Sequence, residues 1–254
     1  TTVPQLLEEL QIEQAIAREA LRLAFIQHRE LAVGLKGVQS ERTLSDVFDQ
    51  GATGESLIRM MELDLLVGSG GVLSHAPNRA QAAAMMIDAF QPEGLTRLAV
   101  DSIFMMPHLG VLASVNETAA TDVFERDCLV HLGTCVAPVY RGKGGLKSGE
   151  VCATYELRSA ELAGGAVAGE LKTGDLTVIP LPDDATAELT LTPIRDVDVG
   201  SGPGQAHSAT IHGGTLGVVL DGRGRPLLMA TEPAARVVQL ESWYETLHLY
   251  GEEA

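Results

Sequence analysis

The chain has 254 residues, 18 basic against 34 acidic side chains, a formal net charge of −16 and 45% hydrophobic residues. This is a core-forming composition, sufficient for one large domain or two small ones, and not that of a disordered chain. The charge argues against nucleic acid and against an anionic membrane surface, since both are held chiefly by Lys and Arg.

Taken in chain order, the first third reads helical. Thr2-Val3-Pro4-Gln5 has a cap residue, a first-turn proline and a glutamine three positions after the cap, and Ile12, Ile16, Ala20 and Leu23 follow at helical spacing. The helix is expected to reach about Leu31, before Gly34 and Gly37, with a second short helix over Glu55–Glu62. Leu63-Asp64-Leu65-Leu66-Val67 then reads as a buried strand running into the turn Gly68-Ser69-Gly70-Gly71. Pro77 opens a helix with Ala83, Met86, Ile87 and Phe90 on one face, stopped by Gln91-Pro92-Glu93-Gly94. Arg97–Val100 is a second strand, so residues 63–100 form a βαβ unit with a parallel strand pair. A further helix is expected from Pro107 to Ala113 or beyond.

From about Val136 helical periodicity disappears and turn residues become dense. Asp175–Pro180 and Ala187–Thr192 read as strands. Thr215–Leu220 and Pro226–Met229, joined at Asp221-Gly222, read as a hairpin. A closing helix over about Glu232–Tyr250 offers Val238, Leu240, Trp243, Leu247 and Tyr250 as one face.

The glycine turn is the most informative chemical feature. Without Cβ atoms a ligand can touch the backbone, and a following helix supplies free N–H groups. On local pattern alone, however, Gly68–Gly71 reads as a tight strand-to-helix turn with no ligand. Cys128-x-x-His131-x-x-x-Cys135 has three soft or borderline metal ligands but no fourth at finger-like spacing, and reads as buried reduced cysteines with a structural histidine. With only three cysteines and no framework spacing, a reducing cytoplasm is the expected compartment.

Arg141–Gly149 has the composition of a phosphate loop but fails the Walker spacing, and reads as a solvated connection. Gly200–Gly204 and His212-Gly213-Gly214 read as turns and bulges. Asp221–Pro226 reads as an exposed hairpin tip, with presentation of Arg223 and Arg225 to an anion as the sharper alternative. His75 and His108 are expected to be structural, and Thr1 is discounted as an N-terminal nucleophile. No apolar run reaches the roughly 18–20 residues that span a bilayer, and no secretory leader is read at the start. The absence of Met before Thr1 suggests a chain cut or processed from something longer.

The strings Asp64–Pro77, Asp88–Gly94, Leu98–Gly110, Leu132–Pro138, Val199–Gly204 and Leu220–Leu227 resemble, in order, the MutL-type accessory proteins of adenosylcobalamin-dependent glutamate mutase. That family is unrelated to the mismatch-repair protein of the same name. The resemblance implies an actin-like ATPase of the kind shared with sugar kinases and Hsp70, acting as an ATP-driven chaperone or reactivator of cobalamin-dependent mutases. It implies an α+β fold: half of an actin-like (ribonuclease-H-like) ATPase domain followed by a β-rich module and a C-terminal helix. Residues 1–135 would be the adenosine-side part and residues 136–254 the β-rich module. It also reverses the local weighting at the turn, making Gly68, Ser69, Gly70 and Gly71 the expected contacts of ATP or ADP.

Nothing before Leu63 resembles the phosphate hairpins or the acidic metal position of that superfamily. The chain therefore resembles the C-terminal portion alone, with Mg²⁺ held mainly by the other half and no catalytic residue assigned. The implied partners are mutase subunits, with a homo-oligomer allowed. The rival readings are a non-enzymatic docking module and a small-molecule enzyme using His75 or His108.

Overall fold

A computed structural model describes residues 3–32 and 57–250. In chain order the elements are α1 (Leu7–Leu31), β1 (Leu65–Gly68), α2 (Gly71–Ser74), α3 (Arg79–Phe90), β2 (Gly94–Asp101), α4 (Met106–Ala113) and α5 (Glu117–Val123). There follow β3 (Leu129–Ala137), β4 (Val139–Tyr140), β5 (Val151–Arg158), β6 (Ala166–Lys172), β7 (Leu176–Ile179) and β8 (Thr186–Pro193). The chain continues through β9 (Val197–Asp198), β10 (His207–His212) and β11 (Gly217–Asp221) to α6 (Pro233–Thr246). The fold is mixed α+β with a C-terminal helix.

Three layers result. A five-stranded mixed sheet, order β1-β2-β3-β11-β7, lies in the middle. Its β1–β2 pair is parallel, Leu65 opposite Arg97 and Gly68 opposite Val100, as the βαβ reading requires. One face carries α1, α3 and α6 over a core that includes Met86, Leu98, Val100, Leu132 and Val219. The other face packs on a four-stranded antiparallel sheet, order β10-β8-β5-β6, through Val136, Val218, Leu220, Leu157 and Leu189. The pleat does the sorting: Val218 and Leu220 point to one core and Val219 to the other. In β8 the alternation is complete, with Ala187, Leu189 and Leu191 buried and Glu188, Thr190 and Thr192 exposed.

Position 135/136 falls inside β3, and the central sheet takes strands from both sides of it. The C-terminal hairpin does not form. β11 pairs in parallel with β3 and antiparallel with β7, while Pro226–Met229 is turn and coil. Both partners are distant in sequence, so the local turn signal at Asp221-Gly222 was overridden by better-buried neighbours.

α1 starts at Leu7, not at the Thr2–Pro4 signal, because Glu9 Oε2 turns back to accept from the N–H groups of Gln5 (2.9 Å) and Leu6 (3.3 Å). The helix also presents its apolar stripe outward: Ile12, Ile16 and Leu23 are exposed, Ile16 by 65%. Its inward face is Gln14, Ala17 and Leu21. Gln14 is buried because it is satisfied, donating to Gln81 Oε1 (2.9 Å) and accepting from the Tyr250 hydroxyl (2.7 Å). In α6 Trp243 is buried, as is Leu247 just beyond its end, while Val238 faces out at 65% exposure. Gly34, Gly37, Thr1 and the start of the Glu55–Glu62 segment lie outside the described residues, and Met60–Glu62 is a single 3₁₀ turn.

Candidate functional site

The glycine turn sits at the C-terminal end of β1, where parallel strands direct their connections toward a common edge. Its four residues play different parts. Gly68 is a packing glycine: a Cβ there would meet Met86 Sδ at 2.7 Å and Leu73 Cδ1 at 3.0 Å. Gly70 has φ +100° and caps α2, a conformation that glycine adopts without strain. Around both Gly70 and Gly71 a Cβ would meet nothing within 4 Å, so this stretch of backbone is open. α2 has only one turn, and its dipole is correspondingly small.

Beside the turn lies Asp101, which sequence reading included in a string but gave no role. It is fully buried at the end of β2. Its carboxylate accepts from the backbone N–H groups of Met105 (3.1 Å) and Met106 (3.0 Å) and from the Ser69 hydroxyl (3.4 Å). Its own carbonyl accepts from Ser74 Oγ at 2.5 Å. Burial alone would raise the Asp101 pKa, but the N–H donors of Met106, Met105 and Ile103 outweigh it and hold the carboxyl below its usual range. Asp101 thus fixes the turn and the start of α4 through its carboxylate and α2 through its carbonyl. An acidic residue closing the apolar run Leu98-Ala99-Val100 was the available signal.

Asp101→Asn places an amide N–H group among donors. It is expected to cost about 1–3 kcal/mol, the penalty for disrupting buried hydrogen bonds to a charge. A reduced urea midpoint at unchanged slope checks it, and an unchanged midpoint contradicts the clamp role.

The remaining sequence candidates are dispersed. His75 and His108 are exposed. Cys128, Cys135 and Cys152 are free and buried. Burial pushes the Cys135 thiol up to about 12 and the Cys152 thiol to about 11, so both stay protonated and are poor metal ligands. His131 instead lies 3.5 Å from the Arg97 guanidinium. Among the described residues no group of three or more His, Cys, Asp or Glu side chains could hold a metal ion.

The Arg141–Gly149 segment is largely exposed, with Arg141 paired to Glu93 at 2.8 Å. In Val199–Gly204 the N–H groups of Gly200 (2.9 Å) and Gly202 (3.0 Å) are already bound by Asp198 Oδ1, so the chain fills its own anion nest.

Asp221–Pro226 is neither an exposed tip nor an anion-presenting loop. Asp221 is fully buried and Arg223 is 2% exposed. The Asp221 carboxylate accepts two bonds from the Arg223 guanidinium and one from that of Arg225, each 2.9 Å, and one from the Arg223 backbone N–H at 3.0 Å. Arg223 continues to Asp88 (2.8 Å), which also binds Arg18 (3.0 Å), and Arg223 stacks over Trp243 at 4.9 Å. The network joins α1, α3, the end of β11 and α6.

Among the described residues no helix is long and apolar enough to cross a membrane. No curated protein and no solved structure matches the chain. A family model described as MutL protein matches residues 1–128, just over half the length and including both the glycine turn and Asp101. The chain therefore belongs to the MutL protein family.

Proposed function

We propose that this chain is the nucleotide-binding part of an ATP-dependent accessory or reactivating protein for an adenosylcobalamin-dependent mutase of the glutamate mutase type, built on the actin-like ATPase plan. Membership of the MutL family supports the accessory role. One structural observation supports the nucleotide: the open backbone of Gly70 and Gly71, between β1, which is a half-exposed edge strand and not the buried strand expected, and a helix start. Gly68 sets the close packing beneath it, and Ser69, Gly70 and Gly71 contact the ligand. Asp101 places an anionic group next to the turn, which suits the adenosine end of ATP or ADP better than its phosphates. Mg²⁺ and the phosphate clamp belong to elements outside the turn. Nucleotide turnover would move one domain against another and so drive exchange of damaged cofactor on the mutase.

In the full-length polypeptide, Gly70→Val is expected to weaken ADP binding at least about tenfold, equivalent to about 1.4 kcal/mol. Gly71→Val, where φ is not left-handed, separates ligand exclusion from backbone strain. Unchanged ADP affinity by calorimetry in both variants overturns the assignment.

A second reading, a docking module without nucleotide, draws support from the exposed apolar stripe of Ile12, Ile16 and Leu23 on α1. Capture of a mutase subunit that is indifferent to ATP and ADP would favour it.

A further inference from the structure

A cleft of about 360 Å³ opens between the central sheet and the second sheet, on the face away from α3. β2 contributes Leu95 and Arg97, β3 contributes Thr134, and β10 contributes His207, Thr210 and His212. Arg97 lies opposite Leu65 in register, three residues from Gly68 and roughly 10 Å along the strand from the glycine turn. The two sites are separate.

Arg97 is half-buried and has no carboxylate within ion-pair distance among the described residues, although the chain carries 34 acidic side chains. Among the described residues its guanidinium has one side-chain polar contact, His131 Nδ1 at 3.5 Å from a terminal nitrogen, which orients the fork. None of its N–H groups is both buried and unpaired, so the rest reach the solvent of the cleft. The other polar groups are similarly fixed. His207 Nδ1 is held by Ser201 Oγ at 2.7 Å, which leaves Nε2 for a ligand. Thr134 donates to the His212 carbonyl at 2.7 Å, keeping its oxygen as an acceptor only.

Two carboxylates bound what the cleft can take. Asp64 lines it, and exposed Glu188 accepts from Thr210 at 2.6 Å. Neither carboxylate pairs with the Arg97 guanidinium among the described residues; the Asp64 carbonyl accepts from the Arg97 backbone N–H at 2.9 Å. An oriented guanidinium with open N–H groups, flanked by histidines from two other strands, is the donor set that recognises an oxyanion.

We infer that this cleft is a binding site for a small oxyanion, phosphate or carboxylate, with Arg97 as its principal contact and His207 as a second donor. Burial, Arg97 and His131 keep the His212 pKa below its ordinary value, so His212 is neutral at pH 7 and Arg97 supplies the fixed positive charge.

The test uses the whole chain at low ionic strength, titrated separately with inorganic phosphate and with acetate. Histidine ring resonances report the site. The expected result is saturable movement of the His207 and His212 signals by one of the anions. Arg97→Gln should weaken that binding about tenfold or more, as loss of a charge-assisted contact does. Arg97→Lys, which keeps the charge but not the fork, should recover part of it, and this holds even if Arg97→Gln is poorly folded. The tighter of the two anions identifies the ligand class. Linear, non-saturating movement with both anions, or equal affinity in the wild type and both folded variants, overturns the inference. ADP binding at the glycine turn is unaffected by Arg97→Gln, so failure here leaves the nucleotide reading standing and the converse also holds.

Discussion

Asp221→Ala is expected to cost about 3–5 kcal/mol, the range for removing one partner of a buried ion pair. Against a typical stability of about 5–15 kcal/mol, that is a large part of the whole. The cause is what the deletion leaves behind. Arg223 and Arg225 remain buried, Arg223 with only Asp88 to face and Arg225 with only the carbonyls of Pro92 and Gly224. Asp221→Leu combined with Arg223→Met removes charge from both sides of the main pair and should recover part of the loss, because the desolvation of both ions disappears while Arg225 stays without its carboxylate.

The same carboxylates set a pH dependence. Burial by itself would raise the Asp221 pKa, but Arg223 and Arg225 pull it far below the usual range. A carboxyl depressed on folding contributes stability that is present above its unfolded value near 4 and lost as pH falls through its folded value. Stability should therefore decline as pH drops below about 4, less steeply in Asp221→Asn than in the wild type. Urea midpoints between neutral and acidic pH measure both effects. A loss under about 1 kcal/mol for Asp221→Ala would show that the network is relaxed or hydrated instead.

This network also shows where sequence reading stops. Asp-Gly-Arg-Gly-Arg-Pro has the composition of a surface turn, and local propensity has no term for a salt bridge reaching Asp88, 135 residues away. The same holds for β11, whose two partners are β3 and β7 and not the segment that follows it. By contrast the βαβ unit was legible, because its strands, turn and helix are adjacent in sequence and each carries its own period. β3 was hidden by its His, Gly, Thr and Cys content, which breaks the strand pattern, while the cysteines read as buried are so: Cys135 lies in the helix-side core and Cys128 in a small cluster with Leu109 and Ala120. The outward stripe of α1 misleads for another reason. Ile12 and Ile16 have the right spacing, but Gln14 on the opposite face is satisfied when buried, donating to Gln81 and accepting from Tyr250, while Gln81 donates to the Leu249 carbonyl. At the glycine turn the backbone conformation was readable and the division of labour was not. Whether a glycine serves packing or access depends on what stands opposite it.

Gly133→Ala should be the most damaging single-methyl substitution in the central sheet. Gly133 has φ +132°, and a Cβ there would lie 1.9 Å from the Gly217 carbonyl oxygen and 2.9 Å from its carbon. These are backbone atoms of the strand with which β3 pairs in parallel, Gly133 directly opposite Gly217. No side chain can rotate away, so β3 and β11 must separate where the two cores meet. Gly214 crowds the same point, its own Cβ position falling 2.3 Å from Gly133 N. The Gly213-Gly214 pair therefore serves close backbone approach and not a ligand. The expected cost is more than about 4 kcal/mol, beyond the ordinary range for point mutants. Two other glycines separate clash from conformation. Gly144→Ala has φ +92° and nothing within 4 Å, so it carries only the backbone penalty of about 1 kcal/mol. Gly110→Ala lies inside α4 in open space at ordinary φ and should stabilise by about 0.5–1 kcal/mol. Denaturation midpoints should thus order as Gly110→Ala above wild type, then Gly144→Ala, then Gly133→Ala. If Gly133→Ala falls level with Gly144→Ala, the strands move apart at little cost and the pairing of β3 with β11 is looser than its register implies.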